Sequence, residues 1–103
     1  MNFTKLRAAL SRTYSQEACV EILAETAIHY REQTPFRWYL LLLNRIYVQI
    51  VGNPELLETD LVDPLWVSLS EQSLAGIEAI ERDDHVALVS AANFLTETYC
   101  AVP

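Results

Sequence analysis

The chain has 103 residues, of which 51% are apolar and 20% charged, and its formal net charge is −7. This length and composition are typical of one globular domain and exclude a disordered chain, so we expect a single domain spanning residues 1–103. The two glycines nearly exclude a glycine-rich phosphate-binding loop, and the two cysteines are too few for a disulfide framework.

The charge is unevenly distributed. Residues 1–45 carry six basic and four acidic side chains, whereas residues 46–103 carry ten acidic side chains and a single arginine. A nucleic-acid backbone requires a basic binding surface, so this distribution argues against nucleic acid as the partner.

The N-terminal third is predicted to form two helices. The spacing of Phe3, Leu6 and Leu10 predicts a first helix over about residues 3–13. Thr13 and Gln16 fit a capping box at the start of a second helix, with Ser15 as the alternative N-cap, and this helix should run to about residue 32. Its inner stripe is predicted to be Cys19, Ile22, Leu23, Thr26, Ala27 and Tyr30, and the opposite face Glu21, Glu25, His29 and Glu32.

A third helix is bounded by strong local signals. Thr34-Pro35 supplies an N-cap and a proline at the first helical position, Gly52 is expected to adopt the left-handed conformation at the end, and Pro54 prevents continuation. Apolar side chains cover most of its circumference, and the narrow polar stripe consists of Arg37, Asn44, Arg45 and Gln49. A helix of this kind is expected to be central in its domain or buried in an oligomer interface.

The C-terminal half is predicted to contain a short helical turn and two helices. Asn53-Pro54 predicts a turn over 54–59, and Asp63-Pro64 opens a helix over about 64–82. Asp83 and Asp84 are candidate N-caps for a last helix over 84–101, although one continuous helix over 64–101 is an alternative. The predicted inner stripes are Trp66, Leu69, Ser73, Ile77 and Ile80, then Leu88, Ala92, Leu95 and Tyr99; Ser70, Ser73, Ala75 and Gly76 are small enough to allow close helix packing. No strand pattern is present, so the expected fold is all-α: a small bundle of four main helices plus short helical pieces.

Neither a membrane span nor a secretory segment is expected. The most apolar stretch, Trp38 to Val51, is interrupted by polar side chains and falls short of the roughly 20 residues that a transmembrane helix needs. We therefore expect a cytoplasmic protein without a membrane partner, in which Cys19 and Cys100 are reduced and buried.

Two Glu/His pairs are the only candidates for a metal site. Glu25 with His29, and Glu81 with His85, have i, i+4 spacing and together offer four ligands for zinc or iron. The favoured interpretation is a pair of helix-surface contacts, so no metal and no cofactor are expected. No motif surrounds the cysteines or serines, and the sequence predicts no catalytic residues and no enzyme.

The preferred functional hypothesis is a non-catalytic protein–protein interaction module that acts as an adaptor, chaperone or regulator, and forms a homodimer through the third helix. Phe36, Trp38 and Tyr39 cannot all face the same way on a helix, so at least one should reach the surface or an interface. The candidate partner-binding residues are Phe36, Trp38, Tyr39 and Leu42 on the third helix and Glu55, Glu58, Asp60 and Asp63 in the acidic segment that follows it.

The closing hairpin bears a resemblance to a known class of chaperone. Its sequence runs from Ala79 through Asp84 as Ala-Ile-Glu-Arg-Asp-Asp and continues with Val86, Leu88 and Ala91-Ala92. This segment resembles hairpins in flagellar-export chaperones; the resemblance contains no specific motif, and no family is assigned from it. Two alternatives remain open: an acidic inhibitor or immunity-type protein that occupies a basic groove of its partner, and a metal-dependent helical-bundle enzyme.

Overall fold

The computed structural model describes residues 3–13, 15–30, 36–52 and 64–99. Within these ranges every regular element is helical, which confirms the predicted all-α bundle. The elements are α1 (Thr4–Ala8), a π-helical turn (Ala9–Thr13), α2 (Gln16–His29), α3 (Arg37–Val51), α4 (Pro64–Glu81) and α5 (His85–Tyr99). None of these helices is long and apolar enough to cross a membrane.

The predicted inner stripes of α4 and α5 are confirmed, and most of the predicted α2 stripe is buried as well. Every residue predicted to face inwards on the last two helices is buried, as are Cys19, Ile22, Leu23 and Ala27 of α2. These side chains join one hydrophobic core to which all five helices contribute. Thr26 and Tyr30 are half-buried at the edge of the stripe.

Several predicted boundaries differ from the structure or lie outside the described residues. The start of α2 is capped by Ser15, whose side chain accepts a hydrogen bond from the Ala18 amide, so the alternative N-cap is the correct one. The prediction of a left-handed Gly52 is wrong: it has φ −75° and donates its N–H to the Val48 carbonyl, because the chain continues the right-handed turn. Thr34, Pro35, the predicted turn over 54–59, Asp63 and Cys100 lie outside the described residues.

The first predicted helix contains a change of helical type. It begins as α1 and widens into the π-helical turn at Ala9. The Cys19 thiol of α2 donates a hydrogen bond to the Ala9 carbonyl at 3.0 Å, which supplies that buried carbonyl with a donor from outside its own helix. Burial raises the pKa of Cys19 to about 11. The thiol is therefore protonated at neutral pH and is a poor nucleophile.

Helices α2 and α3 pack against each other as an antiparallel pair. At one end the rings of Tyr30 and Phe36 lie 5.8 Å apart, and both contact Phe3 of the N-terminal segment. The Tyr30–Phe36 contact joins the C-terminal end of α2 to the N-terminal end of α3. In the register that it sets, residues further along α3 lie level with residues further back along α2.

A tight turn separates α4 from α5, so the predicted alternative of one continuous helix is wrong. The amide of Asp84 donates to the Ala79 carbonyl at 2.8 Å and that of Asp83 to the Ile80 carbonyl at 3.1 Å, which is the Schellman pattern of helix termination. Asp83 occupies the left-handed region with φ 56°, where aspartate is tolerated better than most residues. The Asp84 carboxylate then accepts a hydrogen bond from the Ala87 amide and caps α5.

Substitutions at the two aspartates of this turn are expected to change stability in opposite directions. Asp84→Ala removes the α5 cap and should lower the free energy of unfolding by about 0.5–2 kcal/mol. Asp83→Gly relieves the left-handed backbone and should raise it by up to about 1 kcal/mol. Urea unfolding followed by circular dichroism measures both. A loss of stability in Asp83→Gly would contradict the role given to its backbone conformation.

Candidate functional site

Helix α3 contributes one side to the core and leaves the opposite side uncovered. Its buried residues are Tyr39, Leu40, Leu43, Ile46, Tyr47 and Ile50. On the opposite side lie four residues at i, i+3, i+7 and i+10, which we term the α3 face: Trp38, Leu41, Arg45 and Val48. Trp38 and Leu41 are each 41% exposed and Val48 is 48% exposed, although all three are large apolar side chains. The helix thus combines a core role with an accessible apolar stripe.

Two buried tyrosines hold α3 against α4. The Tyr39 hydroxyl lies 3.3 Å and 3.2 Å from the carbonyl oxygens of Gln72 and Ser73, to which it can donate. The Tyr47 hydroxyl donates to Ser73 Oγ at 3.2 Å, and the Ser73 hydroxyl donates in turn to the Leu69 carbonyl at 2.6 Å. Burial raises the pKa of both phenols, so both remain neutral donors at physiological pH. These contacts fix the orientation of α3 and therefore the position of its exposed face.

Gly76 leaves room on α4 for the Tyr39 ring of α3. A Cβ atom built at this position would lie 2.6 Å from Tyr39 Cε2 and closer still to the hydroxyl end of the ring. Of the small residues predicted to allow close helix packing, Ser70, Ser73 and Gly76 are buried, whereas Ala75 is exposed.

The α3 face carries a positive charge that the described part of the chain leaves unpaired. Lys5 pairs with Glu25 at 3.4 Å, Arg7 pairs with Glu81, and Arg82 lies 3.9 Å from Asp84. Neither Arg45 nor Arg37 of α3 forms an ion pair with a described residue. Helix α3 itself has no acidic residue. The face is therefore apolar and basic in a chain of strongly negative net charge.

Two side-chain polar atoms beside this face are buried and have no hydrogen-bond partner in the part of the chain that the structure describes. They are Nε of Arg37 and Oδ1 of Asn44, in side chains that are half-buried. Arg37 and Asn44 alternate with Leu41 and Val48 along one side of α3, at intervals of three or four residues. Buried polar groups normally have partners, and unsatisfied ones destabilise the surface that contains them.

The exposed side of α2 has the opposite character. Glu17, Glu21 and Glu25 follow one another at four-residue intervals and are all exposed. Ile28 lies between them on the helical projection and is 66% exposed. We term Glu17, Glu21, Glu25 and Ile28 the α2 face. The sequence predicted the acidic side of α2 but did not place Ile28 on it.

The predicted partner-binding residues separate into three groups. Trp38 lies on the α3 face, and Leu42 is half-buried beside it. Phe36 and Tyr39 are buried in the core and are not accessible to a partner. The acidic residues Glu55, Glu58, Asp60 and Asp63 lie outside the described residues. Val48 and Arg45 were not among the predicted residues. Their spacing from Trp38 was the available signal, because all three fall within one arc of a 3.6-residue helix.

The Glu/His pairs are arranged differently from the predicted surface contacts. Glu25 pairs with Lys5, and Glu81 with Arg7, so both carboxylates contact cations of α1. A shallow hollow of about 420 Å³ is lined by Glu25, Thr26, His29 and Tyr30. Among the described residues, no three side chains of the histidine, cysteine, aspartate or glutamate type cluster as metal ligands would.

Comparison with known proteins adds no relative: no protein-family model, curated protein or solved structure matches this chain. The functional interpretation rests on its own residues.

Proposed function

We propose that this chain is a non-catalytic protein–protein interaction module, an adaptor, chaperone or regulator that works in the cytoplasm. The observation that carries this proposal is the α3 face. A tryptophan and two aliphatic side chains are each more than two-fifths exposed along one side of a helix that buried contacts hold in place. Tryptophan and arginine are enriched among the residues that dominate binding energies, and both occur on this face.

The chemistry of the described residues favours binding over catalysis. The thiol of Cys19 is buried and its raised pKa keeps it protonated. The buried phenols of Tyr39 and Tyr47 have structural hydrogen-bond partners on α4. An accessible apolar surface is by contrast a common mark of a protein interface.

Site-specific crosslinking in the native host tests the proposal. A photoreactive benzoylphenylalanine in place of Trp38 is expected to form adducts with another polypeptide chain, either a second copy or a different protein. The matched control places the same group at Val86 of α5, which is the most exposed large apolar residue described, at 81%, and lies off the α3 face.

Mass spectrometry of the adducts then distinguishes the outcomes. Adducts formed strongly from position 38 and weakly from position 86 support an interaction module with this binding surface. The absence of adducts from position 38, or equal yields from both positions, would contradict it.

A further inference from the structure

We propose that two copies of this chain form a twofold dimer in which the α3 face of each copy packs against the α2 face of the other. The inference rests on the proposed function and names the occupant of the α3 face. It follows from three features of the described residues: charge, apolar pattern and register.

The charges of the two faces are complementary. Arg45 on the α3 face has no carboxylate partner among the described residues, whereas the α2 face carries three exposed glutamates. Of these glutamates, Glu25 is already paired with Lys5, but no described ion pair involves Glu21. Pairing α3 with α3 would instead bring arginines together without any acid of that helix, and like charges at an interface are unfavourable.

The apolar residues of the two faces also correspond. The α3 face has Trp38 towards its N-terminal end, and the α2 face has Ile28 towards its C-terminal end. Both side chains remain exposed in the single chain. Contact between them would remove apolar surface from water at both halves of a twofold interface.

The intramolecular register determines which residues would meet. A twofold axis parallel to α2 and α3 rotates the second copy about that axis without shifting it along the axis. The α2 helix of the second copy therefore lies at the same height along the axis as the chain's own α2. The ring contact of Tyr30 with Phe36 then places Trp38 near the level of Ile28. Arg45 lies seven residues further along α3 and Glu21 seven residues further back along α2, so these two also lie near one level. The arrangement that brings Trp38 and Ile28 together therefore also brings Arg45 and Glu21 together.

Charge exchange between Arg45 and Glu21 tests this arrangement. Light scattering coupled to size exclusion, and sedimentation equilibrium at micromolar concentration, should give twice the chain mass of 11.7 kDa for the unaltered protein. Arg45→Glu and Glu21→Arg are each expected to weaken association at least about tenfold, a change of about 1.4 kcal/mol. The double variant Arg45→Glu/Glu21→Arg restores opposite charges in both pairs and should recover dimerisation.

A charge-matched control separates this effect from net charge. Arg82→Glu makes the same change in charge at an exposed site on the turn after α4 and is expected to leave association unchanged. A second measurement uses tryptophan fluorescence: Trp38 is exposed and Trp66 only 4% exposed, so acrylamide quenching reports mainly on Trp38. Quenching of Trp38 fluorescence should fall as the protein concentration rises through the dissociation constant of the dimer. Circular dichroism checks that each variant is folded.

The outcomes distinguish this inference from the proposed function. A monomer at all concentrations, or a double variant that associates no better than the single ones, would overturn the α2–α3 dimer. Crosslinking from position 38 to a different protein, with a monomeric free chain, would overturn the dimer while supporting an interaction module. Crosslinking from neither position 38 nor any other residue of the α3 face would contradict both.

Discussion

Ile46→Ala is expected to lower the free energy of unfolding by about 2–5 kcal/mol, because it leaves a cavity at a buried position in the middle of α3. Ile46 is 1% exposed and belongs to the core cluster shared by all five helices. Its neighbours are fixed by the buried tyrosine contacts between α3 and α4, so the surrounding side chains have little freedom to fill the space. Chemical denaturation monitored by circular dichroism measures the loss.

Two further substitutions act as controls for that experiment. Leu42, also on α3, is only half-buried, so Leu42→Ala should be the milder change. Arg7→Ala breaks a solvent-accessible ion pair with Glu81 and should cost no more than about 1 kcal/mol. An Ile46→Ala protein as stable as the Arg7→Ala protein would show that the core is assigned to the wrong side of α3.

Gly76→Ala is expected to destabilise the protein by about 1–3 kcal/mol through overpacking. The usual effect of this substitution inside a helix is the reverse, a gain of about 0.5–1 kcal/mol, because alanine restricts the unfolded chain more than glycine does. Here the new methyl group would overlap the Tyr39 ring, which is fully buried and held by carbonyl groups of α4. Relief requires the Tyr39 ring to shift away from Gly76 and to strain or lose its hydrogen bonds to the α4 carbonyl groups.

The cause can be isolated with a double-mutant cycle. In a Tyr39→Leu background the overlapping ring is absent, so Gly76→Ala should cost at least about 1 kcal/mol less than it does in the unaltered protein. Gly52→Ala supplies a comparison at an exposed glycine with right-handed dihedral angles. The new Cβ atom would lie 3.0 Å from the Val48 carbonyl oxygen, so a cost smaller than that of Gly76→Ala is expected. Equal costs for Gly76→Ala in both backgrounds would show that Tyr39 is not what excludes the methyl group.

Local sequence signals predicted the helices and their inner faces. Asp63-Pro64 predicted the start of α4 at Pro64, and Ser15, the alternative to the Thr13 capping box, is the N-cap of α2. The 3.6-residue spacing of apolar residues predicted inner positions on α4 and α5 that are all buried. These signals work because capping and proline effects act within one helical turn, and a helix buries the same face wherever its neighbours lie. The capping preference of Asp83 and Asp84 also predicted a break between two helices, but only the structure excluded one long helix.

The arrangement of the candidate site was decided by contacts between residues distant in sequence. Periodicity required one of the three aromatic residues at the start of α3 to be exposed, yet it did not say which; packing of Phe36 against Phe3 and Tyr30, and of Tyr39 against Gly76, left Trp38 outside. The register of α2 against α3, on which the alignment of Arg45 with Glu21 depends, likewise comes from a contact between the two helices, that of Tyr30 with Phe36. Helical periodicity determines the direction of a side chain relative to its own axis, whereas the neighbour that it meets depends on how whole helices fit together around a shared core.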